Sequence, residues 1–260
     1  MKVLKKKILL ALSLPMDIFK KTKGFYYKPY RYIYFLLFNF RRGSIRDAMG
    51  QLTKSGEVDK IIRDNLPYFR LTGAGKERLL SFFPISLGQS QVWDEKWRVV
   101  VGAPRKLRLK LIKIGFQKLS QGAFITPLSI SEKLKNYLLE EKLLGKVTVI
   151  ESRRFLGNDD KSLAKENWQL EKLVKEYNDF IKKCRSLLKE MNDKKRLMNQ
   201  DEEMVVELFN SYFSLLSNDP GLPKKVLPDD WPGDFAREVF LKIFEQLENK
   251  NWLLYFDILR

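Results

Sequence analysis

An α+β chain in three parts is what the sequence predicts, on three observations. A short amphipathic helix runs directly into two alternating strands around Asp64-Asn65. A strand–helix–strand–strand–helix–strand succession follows from Trp97. Beyond Gly157 the apolar residues recur only at helical spacing. The expected boundaries are 1–84, 93–157 and 160–260, and 260 residues suffice for each part to bury its own core.

The N-terminal part begins with a helix expected over Lys5–Lys21, with Ile8, Leu9, Leu12, Met16 and Phe19 on one side and Pro15 as a possible interruption. A second helix is expected over Pro29–Phe40, since proline suits a first turn, with Tyr30, Ile33, Tyr34, Leu37 and Phe38 facing inward. Arg41-Arg42-Gly43 reads as a turn. Ser44 is the expected N-cap of the third helix, with Asp47 three residues on. Ile45, Ala48, Met49 and Leu52 then face a core, and Arg46, Asp47, Gly50, Gln51, Thr53 and Lys54 face outward. Ser55-Gly56 ends the helix. Val58–Arg63 and Leu66–Leu71 form a hairpin, whose second strand Pro67 assigns to an edge because proline has no N–H to donate. A closing segment from Thr72 to Phe83 and a PISLGQSQ linker complete the part. Helix, helix, turn, helix and hairpin is the order of a winged helix-turn-helix, whose third helix enters the major groove. The expected DNA-binding residues are Arg41, Arg42, Ser44, Arg46, Asp47, Gln51 and Lys54, suited to base edges and phosphates. Arg63 and Arg70 on the hairpin suit phosphate.

In the central part Trp97–Val101 is an apolar strand and Pro104–Ile114 a basic helix with Leu107, Leu111 and Ile114 inward. Phe116–Leu119 and Ala123–Thr126 form a hairpin about Gln121-Gly122, and a helix over Ser131–Leu143 and a strand over Lys146–Ser152 follow. The order βαββαβ is ferredoxin-like, a scaffold that does not by itself define an activity. After Gly157-Asn158-Asp159-Asp160 the chain is expected to be helical. DPGLPKKVLPDDWPG (219–233) interrupts it as a proline-stiffened connection, and a last helix begins at Asp234.

The net charge is +17, and it is uneven. Residues 1–92 hold 18 Lys/Arg against 6 Asp/Glu, residues 93–157 hold 14 against 6, and residues 158–260 hold 17 against 20. The N-terminal two thirds are therefore suited to a polyanion and the last third to something else. The chain has no histidine, which excludes Ser-His-Asp and Cys-His nucleophiles and most transition-metal sites. Its single cysteine, Cys184, excludes an intrachain disulfide and requires no oxidising compartment. Lys5-Lys6-Lys7 followed by ILLALSLPM imitates a signal peptide without a small-residue cleavage site, and the Phe25–Phe40 run is shorter than the roughly 20 apolar residues that span a bilayer. A cytoplasmic protein, neither secreted nor membrane-bound, is expected.

Trp97–Val101 (WRVVV), the GF-x-x-L-x-x-G-x-F-x-x-P run from Gly115 to Pro127, and the W-x-L-x-x-L-x-x-x-Y-x-x-F run from Trp168 to Phe180 resemble the PaaX family of repressors. The most specific piece is DPGLPKKVLPDDWPGDFA (Asp219–Ala236). The resemblance implies a homodimeric transcriptional repressor of an aromatic-acid degradation operon, neither an enzyme nor a cofactor protein, released from double-stranded DNA by an acyl-CoA thioester such as phenylacetyl-CoA. The central part is also similar to the ferredoxin-like nuclease subunit of CRISPR spacer acquisition. There an aspartate ends the first strand, where this chain has Gly102-Ala103. A scaffold for dimerisation is therefore expected, with a metal-dependent nuclease or a protein-binding adaptor as the alternative classes. For the effector, Trp231 is expected to pack against the helices bearing Tyr177, Phe180 and Tyr212 around an acyl group. Lys224, Lys225 and Arg237 are placed to meet the CoA phosphates.

Overall fold

The computed structural model describes residues 2–14, 27–83, 92–193 and 199–249. The expectations for Pro15, Met16, Phe19 and the PISLGQSQ linker lie outside them. The chain divides into two compact units: residues 1–89, 175–219 and 232–260 form one, and residues 90–174 and 220–231 the other. The stretch 160–260, expected as a single helical domain, is thus shared between them.

In the first unit α1 (Lys2–Ser13) buries Leu4, Ile8, Leu9, Leu10 and Leu12. After β1 (Lys28–Pro29), α2 (Tyr30–Leu36) is shorter than expected; of the expected inward residues Ile33 and Leu37 are buried, and Tyr30 and Tyr34 are partly so. Tyr32, Ile33, Phe35 and Leu36 are its buried residues, whereas Phe38 is 49% exposed beyond its end. The Tyr32 hydroxyl donates to the Ala11 carbonyl at 3.2 Å, so a polar group at the helix junction is satisfied as its ring is buried.

Helix α3 (Arg42–Lys54) starts two residues before Ser44. Arg41 is the N-cap, its carbonyl accepting from the Ile45 N–H at 3.2 Å, and no side chain caps the end. Ser44 is an exposed residue of the first turn, a correction to its expected role. Nothing in Arg42-Gly43 stops the helix from extending backward, and Ile45, Ala48, Met49 and Leu52 remain its buried face, as expected. The C-terminus closes as a Schellman motif: Gly56 N–H donates to Thr53 and Glu57 N–H to Leu52, with Gly56 at φ 73°.

Strands β2 (Val58–Arg63) and β3 (Leu66–Leu71) pair in register from Val58↔Leu71 to Arg63↔Leu66. Asp64 and Asn65 take φ 48° and 60°, the pattern of a two-residue type I′ turn. The strand order is β1-β3-β2, so β3 is central rather than an edge, a second correction. Proline is tolerated because β1 covers only Tyr68 and Phe69. In a two-residue hairpin the Arg63↔Leu66 pair is the hydrogen-bonded one, so the Pro67 nitrogen points away from β2, past the end of β1. Thr72 caps α4 (Gly73–Phe82), its hydroxyl accepting from Gly75 N–H at 3.1 Å.

The second unit is a four-stranded antiparallel sheet of order β5-β6-β4-β7. Its elements in chain order are β4 (Trp97–Val101), α5 (Arg105–Lys113), β5 (Gln117–Ser120), β6 (Ala123–Thr126), α6 (Ser131–Glu140) and β7 (Thr148–Ser152). That is the ferredoxin-like βαββαβ topology expected. One core gathers Val100, Phe124 and Phe116 with Leu107 and Leu111 of α5 and Leu134 and Leu138 of α6. A second gathers Trp97, Val99 and Ile125 with α7 (Asp160–Trp168) and with Leu222, Val226 and Leu227 of the proline-rich segment. Strand alternation accounts for the two cores, since Val99 and Val100 point to opposite faces.

Arg98 is buried at 3% exposure and ties three elements together. Its guanidinium donates to both Asp94 carboxylate oxygens, one of them at 3.0 Å, and to Ser131 Oγ at 2.7 Å, and it lies 3.3 Å from Glu151 Oε1. The pairing with Arg98 holds the Asp94 carboxyl down at about 2, against an ordinary value of 3.8. A carboxylate lowered on folding contributes stability that is present in full above the unfolded value and lost as pH falls through the folded one. Asp94→Asn is therefore expected to be less stable than the parent at pH 5–7, with the difference shrinking below about pH 4 and vanishing near pH 2. Urea midpoints across that range measure it, and a gap constant with pH would contradict the assignment.

The other described elements of the first unit are helices: α8 (Leu170–Asp193, from Lys175 onward), α9 (Asn199–Asn218) and α10 (Gly233–Asn249). Phe180 and Tyr212 stack at 5.7 Å, and Phe240 lies 4.2 Å from Tyr212. This bundle packs on the N-terminal elements. Phe83 meets Phe213 edge-on at 5.5 Å, and Lys7, its pKa lowered by burial, donates to Asn210 Oδ1. Among the described residues no helix is long and apolar enough to cross a membrane.

Candidate nucleic-acid interface

Helix α3 and the β2–β3 hairpin form one continuous stretch of the first unit, and the fold fixes which side chains they leave outside. With Ile45, Ala48, Met49 and Leu52 inward, Arg46, Asp47, Gln51 and Lys54 are all exposed on the opposite side of α3. Arg41 and Arg42 are exposed at its start. The Arg42 guanidinium lies 4.6 Å over the Tyr34 ring, and the Tyr30 hydroxyl donates to the Arg42 carbonyl at 3.3 Å. These contacts fix the entry of the helix. Gly50, also exposed, has nothing within 4 Å of where a Cβ would stand.

The hairpin separates its two arginines. Arg63 is exposed beside the turn. Arg70 faces Asp59 across the ladder and pairs with it at 2.9 Å, while its guanidinium lies 4.7 Å over the Tyr27 ring. The Tyr27 hydroxyl donates to the same Asp59 oxygen at 2.6 Å, and this hydrogen bond, with those from Arg70, keeps the Asp59 carboxyl below its ordinary value. Arg70 is thus an internal partner within the sheet. A two-residue turn at Asp64-Asn65 dictates the 59–70 pairing, so the sequence carried the signal for it.

The residues expected to form an effector pocket fall into both units. Tyr177, Phe180 and Tyr212 are packed core of the first, each at most 3% exposed. Burial pushes both tyrosine hydroxyls well up, and that of Tyr177 donates to Asp219 at 2.7 Å. Arg237 is half-buried in the same unit. Trp231 belongs to the second unit, where it packs against the Trp97 core. Lys224 and Lys225 are exposed there, and Lys225 pairs with Glu95 at 2.7 Å. At the end of β4 stand Gly102, at φ 78°, and buried Ala103. Among the described residues no group of three or more His, Cys, Asp or Glu side chains gathers where a metal ion could sit.

A helix–hairpin module with a polar helix face, in one chain with a ferredoxin-like sheet, defines an α+β class of two-unit proteins. Residues 90–164 match the family model described as the PaaX protein central Cas2-like domain, and residues 168–252 match the PaaX-like protein C-terminal domain. Together these take in more than half of the chain, which belongs to the PaaX-like family. It is 22% identical over 215 residues to the Transcriptional repressor PaaX of Escherichia coli (strain K12), covering 78% of this chain and 68% of that one. Among solved structures it is similar to the uncharacterized protein Rv0674 from Mycobacterium tuberculosis, with a TM-score of 0.51 and 18% identity over 84% of this chain and 86% of the other. At that identity the likeness concerns the fold alone.

Proposed function

We propose that the chain is a sequence-specific DNA-binding transcriptional regulator, a cytoplasmic repressor and not an enzyme. In this reading residues 1–84 act as a winged helix-turn-helix with α3 as its major-groove helix. The observation that carries it is the face of α3, where Arg46, Gln51 and Lys54 stand exposed together with no apolar residue among them. Bidentate donors and acceptors of this kind suit base edges, and the excess of cations in residues 1–92 suits phosphate. Family membership and the curated relative, a transcriptional repressor, support the same class.

Two copies act together in this proposal, since one short helix and one hairpin give modest affinity and a twofold dimer presents both to a palindrome. The ferredoxin-like sheet and the C-terminal helices are the candidate dimer surfaces. An aryl-acyl-CoA thioester is the proposed effector class. It releases DNA only if it favours one dimer conformation over the other, since equal affinity for both shifts nothing. The packed state of Tyr177, Phe180 and Tyr212 directs the search for the acyl site to other residues.

The test is recovery of bound fragments from fragmented genomic DNA, followed by titration of a recovered site with variants and with acyl-CoA thioesters. Gln51→Ala is expected to reduce discrimination at one base position by about 1–3 kcal/mol. Arg63→Ala is expected to weaken all sequences alike and to lower the salt slope by about one. Unchanged binding by both variants, or no fragment enriched over bulk DNA, would remove α3 and the hairpin as the reading head.

A further inference from the structure

The hairpin tip carries an anomaly for a solvated turn. Ile62 is 58% exposed and Leu66 is 52% exposed, flanking Arg63, Asp64 and Asn65 at the far end of the ladder. The register places Arg63 and Leu66 side by side on one face and Ile62 with Pro67 on the other, so the tip is apolar on both faces. Both φ values at the turn are positive, which fixes the two-residue turn and with it the register of the side chains at the tip. Neither residue contributes to the core that Val58, Phe69 and Leu71 supply lower in the same hairpin. Two half-exposed aliphatic side chains at a tip lose free energy to water unless something covers them.

We propose that this tip is a wedge for the minor groove: Leu66 presses against a base step and bends the duplex, Arg63 on the same face meets the phosphates beside it, and Ile62 on the opposite face packs against the groove wall. The inference rests on the regulator reading and extends it from contact to deformation. Charge complementarity selects DNA as the occupant. Arg63 and Lys60 are exposed, and the carboxylate of Asp59 is already paired with Arg70. Asp64, exposed at the turn itself, is repelled by phosphate, which favours an approach led by the Arg63–Leu66 face over one led by the turn backbone. Apolar side chains inserted from the minor groove unstack a step and kink the duplex by about 20–90°. Pyrimidine–purine steps yield most readily, so specificity arises at positions that no hydrogen bond reads.

The experiment places fluorophores at the two ends of a recovered genomic site and measures their distance on binding the full chain, as parent and as the Ile62→Ala/Leu66→Ala variant. Both positions are exposed, and circular dichroism checks that the variant is folded. The parent is expected to shorten the end-to-end distance and to bind several-fold tighter when TA or CA/TG stands under the tip. The double variant is expected to leave the duplex straight and to lose that step preference, with its salt slope unchanged. A straight duplex with the parent protein, or equal bending by the variant, overturns the wedge and leaves the regulator reading intact. So does a change of oligomeric mass in the variant with bending unaltered, which makes the tip a contact between copies. Failure to enrich any genomic fragment overturns both readings.

Discussion

Trp97→Ala is expected to lower the stability of the ferredoxin-like unit by about 4 kcal/mol, within the ~3–5 kcal/mol typical of buried aromatic truncations. The indole is fully buried, with Trp93 and Trp168 at 6.2 Å and Phe155 at 6.3 Å between ring centroids. Its Nε1–H donates to Asp160 Oδ1 at 2.7 Å, at the first residue of α7. Truncation therefore opens a cavity and leaves the carboxylate without that donor at the same point. Leu222, Val226 and Leu227 pack on the same core, so the proline-rich segment is expected to loosen with it. Trp97→Phe is the milder change, because it keeps much of the ring packing while removing the hydrogen bond and part of the indole, and it is expected to cost about 1–2 kcal/mol. Urea unfolding followed by near-ultraviolet circular dichroism measures both. A loss under 1 kcal/mol for the alanine variant would mean that the second core is not what holds α7 and the segment to the sheet.

That segment marks where sequence reasoning succeeds and where it stops. DPGLPKKVLPDDWPG is recognisable as a stiff connection with something to bury, and Leu222, Val226, Leu227 and Trp231 do pack. What they pack against is a long-range fact. Neighbouring helices in sequence suggested Tyr177 and Tyr212, but the sheet face opened by Trp97 and Val99 is where they are buried. No local periodicity encodes that choice. The same cause underlies the division into two units, since α9 and α10 supply apolar residues that any exposed face could use. On α2, predicted burial followed one amphipathic stripe, of which Ile33 and Leu37 are buried, whereas contact with both α1 and the C-terminal bundle buries Tyr32 and Phe35 as well.

Features set by short-range geometry were readable. Period-2 alternation around Asp64-Asn65 fixed the hairpin residue for residue, and the 3.6-residue stripe Ile45, Ala48, Met49, Leu52 fixed the outward face of α3. The start of that helix was not readable. Ser44 offers a good capping oxygen, but a cap at Ser44 would end the helix there, and the chain instead gains a further turn that brings Arg42 over Tyr34. The candidate interface is thus legible in its helix face and hairpin, and less so in its entry, where tertiary contacts outweigh the local signal. The apolar tip at Ile62 and Leu66 was hidden by the alternation itself, which reads an aliphatic residue in a strand as buried.

Gly75→Ala is expected to destabilise the first unit by about 3 kcal/mol, against the usual direction of such a change. In a helix interior alanine is favoured over glycine by roughly 0.8–1 kcal/mol, and Gly75 lies inside α4. A Cβ there would stand 2.0 Å from the Glu57 carbonyl oxygen and 2.7 Å from Leu71 Cδ1. The leucine can turn aside, but the carbonyl cannot. It accepts from Thr72 N–H at 3.2 Å and from the Thr72 hydroxyl at 3.0 Å, and the same hydroxyl caps α4 through Gly75 N–H. Displacing Glu57 also disturbs its N–H bond to Leu52, which closes α3, and the strand that begins at Val58. Overpacking alone costs about 1–3 kcal/mol, and lost hydrogen bonds at about 1 kcal/mol each take the total past the helical gain. Gly50→Ala is the control, because that glycine lies within α3 with open space around it, and there the propensity term is expected to act alone and stabilise by up to about 1 kcal/mol. Thermal or urea unfolding of the two variants decides the matter by sign: opposite shifts place the joint between α3, the hairpin and α4 at Glu57, whereas two stabilised proteins would show that the joint yields without loss.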